Sequence, residues 1–190
     1  MNLPAIITAL SVNLQPYLQY GVNAEALLYA ICQNETRGGE LGKFIRQEPN
    51  FFSKYIEHSN DPKVVRLRNL YGNRLAVSMG PFQVMPIVAY ELDLDENDPP
   101  EILLNYEINV FYAVQILIKR SIPSATKFMN SLGKIHYSVS SISKDLHFVR
   151  SIADAYNSGN ATDKIIPKKY MDDAEKWYLS FVDNKKRTLK

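Results

Sequence analysis

Apolar residues recur at helical spacing along most of the chain, and strict alternation of apolar and polar residues is confined to short runs. From Asn23 to Arg37, the residues Leu27, Leu28, Ile31 and Cys32 fall on one stripe of an amphipathic helix. The same reading predicts helices near 3 to 12, 50 to 58, 81 to 91, 100 to 120, 122 to 130, 144 to 157 and 168 to 182. Only "LAVSMG" and "IHYSVSSI" read as strands, and either also reads as an extended loop. The acidic run "LDLDENDPPE" predicts a solvated connection that leads through Pro99-Pro100 into a long helix. Ile102, Tyr106, Val110, Ala113, Val114 and Leu117 form that helix's buried stripe. Asn109 falls on the same stripe, and a carboxamide buried there requires hydrogen-bond partners from a neighbouring element.

The helix predicted over 23 to 37 ends in a chemically odd way. Asn23 suits the N-cap, Glu25 suits the first turn, and Gly38-Gly39 supplies a left-handed stop. Glu35 therefore extends the apolar stripe at the negative end of the helix dipole. A carboxylate beside apolar neighbours in that position favours its protonated form, which suits a general acid. The alternative is a frayed last turn in which Glu35 turns to solvent or pairs with Arg37.

At 190 residues, 46% hydrophobic and 22% charged, the chain is expected to be a single globular domain over 1–190. The net charge of +2 hides an asymmetry, because residues 111–190 carry 14 Lys/Arg against 7 Asp/Glu. The end, about 184–190, reads as a basic tail, either a solvated helix end or a contact for an anionic polymer. One cysteine excludes an intramolecular disulfide, and Cys32 reads as a small core residue. No local motif joins it to His58, His136 or His147 as a nucleophile, and no ligand spacing suggests a metal or an organic cofactor. No Lys or Arg precedes Arg37, so "LPAIITALSV" lacks a signal peptide's basic start and is too short to span a bilayer. Synthesis in the cytoplasm without an export signal and without a transmembrane segment is the expectation.

Two further stretches carry candidate chemistry. In "SMGPFQVMP", Gly80 followed by Pro81 reads as the start of a helix, with Gln83 one turn in and the glycine letting a ligand approach the backbone. In "ADAYNSGN", an apolar helix face ends in Tyr156-Asn157 and is cut off by Gly159.

In this order, Glu35-Thr36, Gly80-Pro81-Phe82-Gln83 with Met85-Pro86, Ala155-Tyr156-Asn157-Ser158-Gly159 and Tyr170-Met171 resemble the lytic transglycosylase family of the lysozyme-like superfamily. That family carries a helix ending in Glu-Ser, a Gly-Leu-Met-Gln segment followed by Met-Pro, an Ala-Tyr-Asn-Ala-Gly segment and often a closing Tyr-Val helix. The resemblance spans most of the chain. "FIRQEPNFFSKY" is similar to an insert of phage-encoded members, where Arg-x-Glu-Pro follows the catalytic helix. Thr36 keeps the usual hydroxyl, whereas Pro81-Phe82 replaces Leu-Met and a bulkier Phe82 would reshape a sugar subsite.

The resemblance implies a mainly α, goose-lysozyme-like fold with at most a minor β element. It implies that Glu35 protonates the glycosidic oxygen between N-acetylmuramic acid and N-acetylglucosamine and then acts as base. Thr36, Ser78, Met79, Gly80 and Gln83 would bind the glycan, while Tyr156 and Asn157 would close the other side and orient Glu35. The implied partners are peptidoglycan strands and other proteins of a virion or secretion machine, with action at the bacterial cell wall and no specific nucleic acid. Two alternatives stand beside this reading. A hydrolytic muramidase needs a second carboxylate, for which Glu48, Glu57 and Asp61 are candidates. A virion structural or wall-binding protein on the same fold needs no catalysis.

Overall fold

Local capping chemistry sets several helix boundaries. The computed structural model describes residues 2–39, 44–132, 143–159 and 168–188. Helix α1 (Leu3–Leu14) starts where Asn2 Oδ1 accepts from Ala5 N at 3.0 Å, with a proline in its first turn. Helix α2 (Ala24–Thr36) starts where Asn23 Oδ1 accepts from Ala26 N at 2.8 Å, the cap expected from the sequence. It stops at Arg37 and Gly38, whose φ values of 52° and 71° are left-handed. Strand β1 (Ile45–Gln47), the short helix α3 (Pro49–Phe51) with a π turn over Phe52–Ile56, and helix α4 (Pro62–Tyr71) follow. Strand β2 is Val77–Met79, helix α5 is Pro86–Glu91, and a 3-10 turn covers Pro100–Leu104. Helix α6 (Tyr106–Ile116) passes through a π turn at Leu117–Ser121 into α7 (Ile122–Leu132). Helices α8 (Lys144–Ser158) and α9 (Lys168–Thr188) complete the described chain.

The chain forms two compact units. Met1–Asn34 with Val114–Lys190 is one, and Glu35–Ala113 is the other. In the first, α8 packs against α7, α9 and the Leu117–Ser121 turn. Phe148, Val149, Ile152 and Ala153 of α8 and Leu117 of that turn are fully buried there. In the second, β1 and β2 pair antiparallel, with Ile45 opposite Met79, Arg46 opposite Ser78 and Gln47 opposite Val77. All three β2 residues are buried and all three β1 residues are exposed. Mainly helical architecture with a minor two-stranded sheet matches the expected class.

Several expected boundaries shift. Residues 81 to 85 are not helical: Met79 and Val84 exchange both backbone hydrogen bonds at 2.9 Å across a turn, and α5 begins only at Pro86, behind Met85. The helix expected over 100 to 120 is broken at Asn105, whose Oδ1 caps α6 through Glu107 N at 2.9 Å. Helix α4 was not foreseen, although Asp61-Pro62 is a cap followed by an N1 proline. The C-terminal helix runs on to Thr188, so residues 184–188 of the basic tail are helical, and Lys185 pairs with Glu25. The strand candidate "IHYSVSSI" lies outside the described residues.

Candidate functional site

The last turn of α2 carries Glu35, half-buried and one residue from the helix end. Each of its chain neighbours makes a tertiary hydrogen bond within its own unit. Asn34 Nδ2 donates to the Tyr170 carbonyl of α9 at 3.0 Å. Thr36 Oγ1 donates to the Pro81 carbonyl at 2.8 Å, and Thr36 is only 3% exposed. The helix end is thus tied on both sides of the carboxylate, which argues against fraying of this turn. Glu35 itself also interacts with its surroundings.

The Gly80–Gln83 turn, to which Thr36 is bonded, is built around Asn109. Its Nδ2 donates to the carbonyls of Met79 at 2.8 Å and Leu103 at 3.0 Å, and its Oδ1 accepts from Phe82 N at 2.9 Å. Asn109 is fully buried, so these bonds satisfy the requirement that its place on an apolar stripe creates. Gly80 has φ 72°, and a Cβ there would stand 2.4 Å from Asn109 Nδ2 and 2.7 Å from the Leu103 carbonyl. The glycine therefore has a packing reason inside the unit. Gln83 holds a left-handed φ of 50° without being glycine, and its Nε2 donates back to the Gly80 carbonyl at 2.9 Å. Such outliers persist only where the surroundings hold them, and here one follows Thr36 and the other follows Phe82.

Thr36, Ser78, Met79 and Gly80 are buried, while Glu35 and Gln83 are partly accessible. Ser78 Oγ donates to Glu48 Oε1 at 3.2 Å, and Arg46 Nε reaches the same oxygen at 2.5 Å. Among the three second-acid candidates, Glu48 is the one whose carboxylate accepts a hydrogen bond from an expected glycan-binding residue, Ser78. Glu57 is exposed beside His58. Asp61 is the N-cap of α4, accepting from Lys63 N at 2.8 Å and Val64 N at 3.1 Å, and that capping role accounts for its carboxylate.

Tyr156 and Asn157 belong to the other unit, in the last turn of α8. Tyr156 is half-buried and Asn157 exposed. Gly159, φ 83°, ends the helix and its N–H bonds to the Ala155 carbonyl at 2.9 Å. Among the described residues no group of three or more His, Cys, Asp or Glu could hold a metal ion, and no helix is long and apolar enough to cross a membrane. Cys32 is buried, as its place on the stripe predicts. His136 lies outside the described residues.

Compared with protein-family models, curated proteins and solved structures, the chain matches none. Its functional reading therefore rests on its own residues. Asn109 is the part of the site that motif reading passed over, though its signal, a carboxamide on an apolar helix stripe, was legible.

Proposed function

We propose that the protein is a lytic transglycosylase that cleaves the β-1,4 bond between N-acetylmuramic acid and N-acetylglucosamine in peptidoglycan, on a lysozyme-like fold. The observation that carries the reading is the pair of hydrogen bonds flanking Glu35. Asn34 and Thr36 tie the end of α2 to Tyr170 and to Pro81, which lie in two of the other segments that resemble the family. An acid must be held at a fixed place relative to its substrate, and a helix end fixed at both neighbouring residues meets that need.

In the proposed reaction Glu35 gives its proton to the glycosidic oxygen as the bond to the anomeric carbon breaks. The substrate's own N-acetyl oxygen stabilises the cation-like centre, one of the exceptions to two-carboxylate catalysis. Glu35, now ionised, takes the proton of the muramic acid 6-hydroxyl, whose oxygen closes on the anomeric carbon. Glu35 ends protonated and no water is consumed. Gln83, partly accessible in the turn, is the side chain assigned to hydrogen-bond the sugar in this reading. The reading carries with it action at the bacterial cell wall, delivery with a phage particle or similar machine, and no cofactor.

Digestion of purified peptidoglycan followed by mass spectrometry tests this. The expected products end in 1,6-anhydromuramic acid, lighter than reducing ends by about 18 Da, the water not added in an intramolecular closure. Reducing ends carrying ¹⁸O from solvent would replace this reading by a hydrolytic muramidase. For that second reading the bond from Ser78 to Glu48 singles out Glu48 as the additional acid. No clearing of peptidoglycan together with retention on sacculi would leave a wall-binding protein.

A further inference from the structure

We infer that Asn109 is the positioning residue of the Gly80–Gln83 turn, acting on the proposed reaction through the backbone it holds rather than by touching substrate; the inference rests on the function proposed above. Its carboxamide joins two stretches that are distant in sequence, Met79–Phe82 and the 3-10 turn at Leu103. Through Nδ2 it fixes the Met79 carbonyl at the end of β2 and the Leu103 carbonyl in the 3-10 turn, and through Oδ1 it fixes the Phe82 amide inside the turn. All three bonds are buried, so each group would face an apolar interior if the carboxamide were lost.

The turn does not determine this shape by its own residues. It contains Pro81, which has no N–H, and Gln83, a non-glycine residue at φ 50°. The bonds local to it are Gln83 N to the Gly80 carbonyl at 3.1 Å, Gln83 Nε2 to that same carbonyl, and the Met79–Val84 pair that closes it, and none of these engages the Phe82 amide. The Phe82 N–H, by contrast, is bonded to Asn109. Space reinforces the bonding: the carboxamide fills the volume that any side chain at residue 80 would need. Asn109 and Gly80 thus form one interlocked pair, and the Pro81 carbonyl that it orients is the acceptor for Thr36, next to Glu35. Moving the turn moves the acceptor on which the catalytic helix end is seated. A misplacement of about 1 Å at such a distance from the chemistry can cost about 10²-fold in rate.

Asn109→Asp separates positioning from bulk stability. It preserves volume and the acceptor for Phe82 N, but sets an oxygen against the Met79 and Leu103 carbonyls in place of a donor. The expected result is a fall in kcat on peptidoglycan approaching about 10²-fold, larger than any rise in KM, in protein that still folds cooperatively. Unchanged kcat and KM with only a lower Tm would overturn the inference, since a purely structural residue would behave that way. Amide exchange of the unsubstituted protein supplies a readout that needs neither a folded variant nor enzyme activity. The Phe82 N–H, though in a turn, is expected to exchange as slowly as the buried amides of β2. Exchange at the rate of open turns would overturn the assignment. If the protein proves not to cleave peptidoglycan, slow exchange at Phe82 still upholds Asn109 as the turn's anchor, and the proposed reaction alone is withdrawn.

Discussion

The two units hold their candidate segments by different physics. In the unit over Glu35–Ala113, the segment from Ser78 to Gln83 is held by side-chain hydrogen bonds from residues distant in sequence: Glu48, Asn109 and Thr36. In the other unit, Tyr156 and Asn157 sit at the end of an amphipathic helix whose apolar face, Phe148, Ile152 and Ala155, is buried and whose Arg150 pairs with Asp172 and Glu175 of α9. Polar partners from distant residues fix backbone direction in a turn residue by residue, whereas a buried apolar face fixes a helix as a body. In the proposed reaction the first arrangement supplies precision, and Tyr156 and Asn157 contribute as individual side chains.

The largest expected effect tests whether that precision serves catalysis. Glu35→Gln keeps shape and removes the proton, so turnover on peptidoglycan should fall by about 10²- to 10⁴-fold, the range of general acid catalysis. The fold should be kept, with a stability change in the usual range of a point substitution, about 0.5–3 kcal/mol, because Glu35 is half-buried and interacts with its surroundings. Zymography beside a melting curve reads both. Clearing at the parental rate would remove Glu35 from the mechanism and leave the precise unit without a reaction to serve.

A paired substitution then measures the difference between the units directly. Gly80 and Gly159 both lie in matched segments and both hold left-handed φ values, 72° and 83°. A Cβ at Gly80 collides with Asn109 and the Leu103 carbonyl, whereas at Gly159 nothing lies within 4 Å. Gly80→Ala should cost about 2–5 kcal/mol, strain and overpacking together. Gly159→Ala should cost about 1 kcal/mol, the left-handed penalty alone. Equal losses in denaturant unfolding would erase the distinction between the two segments.

The same distinction explains what was legible in the sequence. Periodicity and caps located α1, α2, α7, α8 and α9 because their boundaries follow from residues within a turn of them, as with Asn2, Asn23 and Gly159. The region from 81 to 85 was misread as helical because its shape depends on Asn109, 27 positions from Phe82, and local propensity carries no record of that bond. Strand β1 was missed for a similar reason: its pairing with β2 is non-local and its three residues alternate nothing. Helix α4 was missed differently, since Asp61-Pro62 announced it, but the carboxylate was weighed as an acid before being weighed as a cap. Glu35 stands out as a candidate because its chemistry conflicts with its local pattern, and such conflicts concentrate at functional positions.

Tyr156→Phe asks how much one terminal side chain of α8 contributes. The ring stays, so packing of the half-buried side chain should be kept, with a stability change below about 1 kcal/mol. Loss of one hydrogen bond from the hydroxyl predicts a fall in kcat/KM of about tenfold. An unchanged kcat/KM would make the end of α8 a packing element only and confine the site to the other unit.

The smallest expected effect concerns electrostatics far from the proposed chemistry. Burial raises the Glu25 pKa, but hydrogen bonds from Lys185 and Thr8 and the Lys185 charge lower it further, so the group sits below its ordinary value of 4.5. Thr8 Oγ1 donates to Glu25 Oε1 at 2.7 Å, and Lys185 pairs with the other oxygen. A carboxylate with a depressed folded-state pKa contributes stability that is complete above its unfolded value and disappears as pH falls through its folded value. The parent protein should thus lose this contribution below about pH 4.5, the ordinary value. Glu25→Gln, lacking the titrating group, should be slightly less stable near neutrality and show a flatter decline on the acid side. Melting temperatures of the two proteins, measured in low salt from neutral pH downward, should therefore converge as Glu25 protonates. High salt should narrow the gap near neutrality, because Lys185 is about half exposed and its attraction is screened. Curves that stay parallel across that range would show that the α9 end near Lys185 is held without this ion pair, by its apolar face.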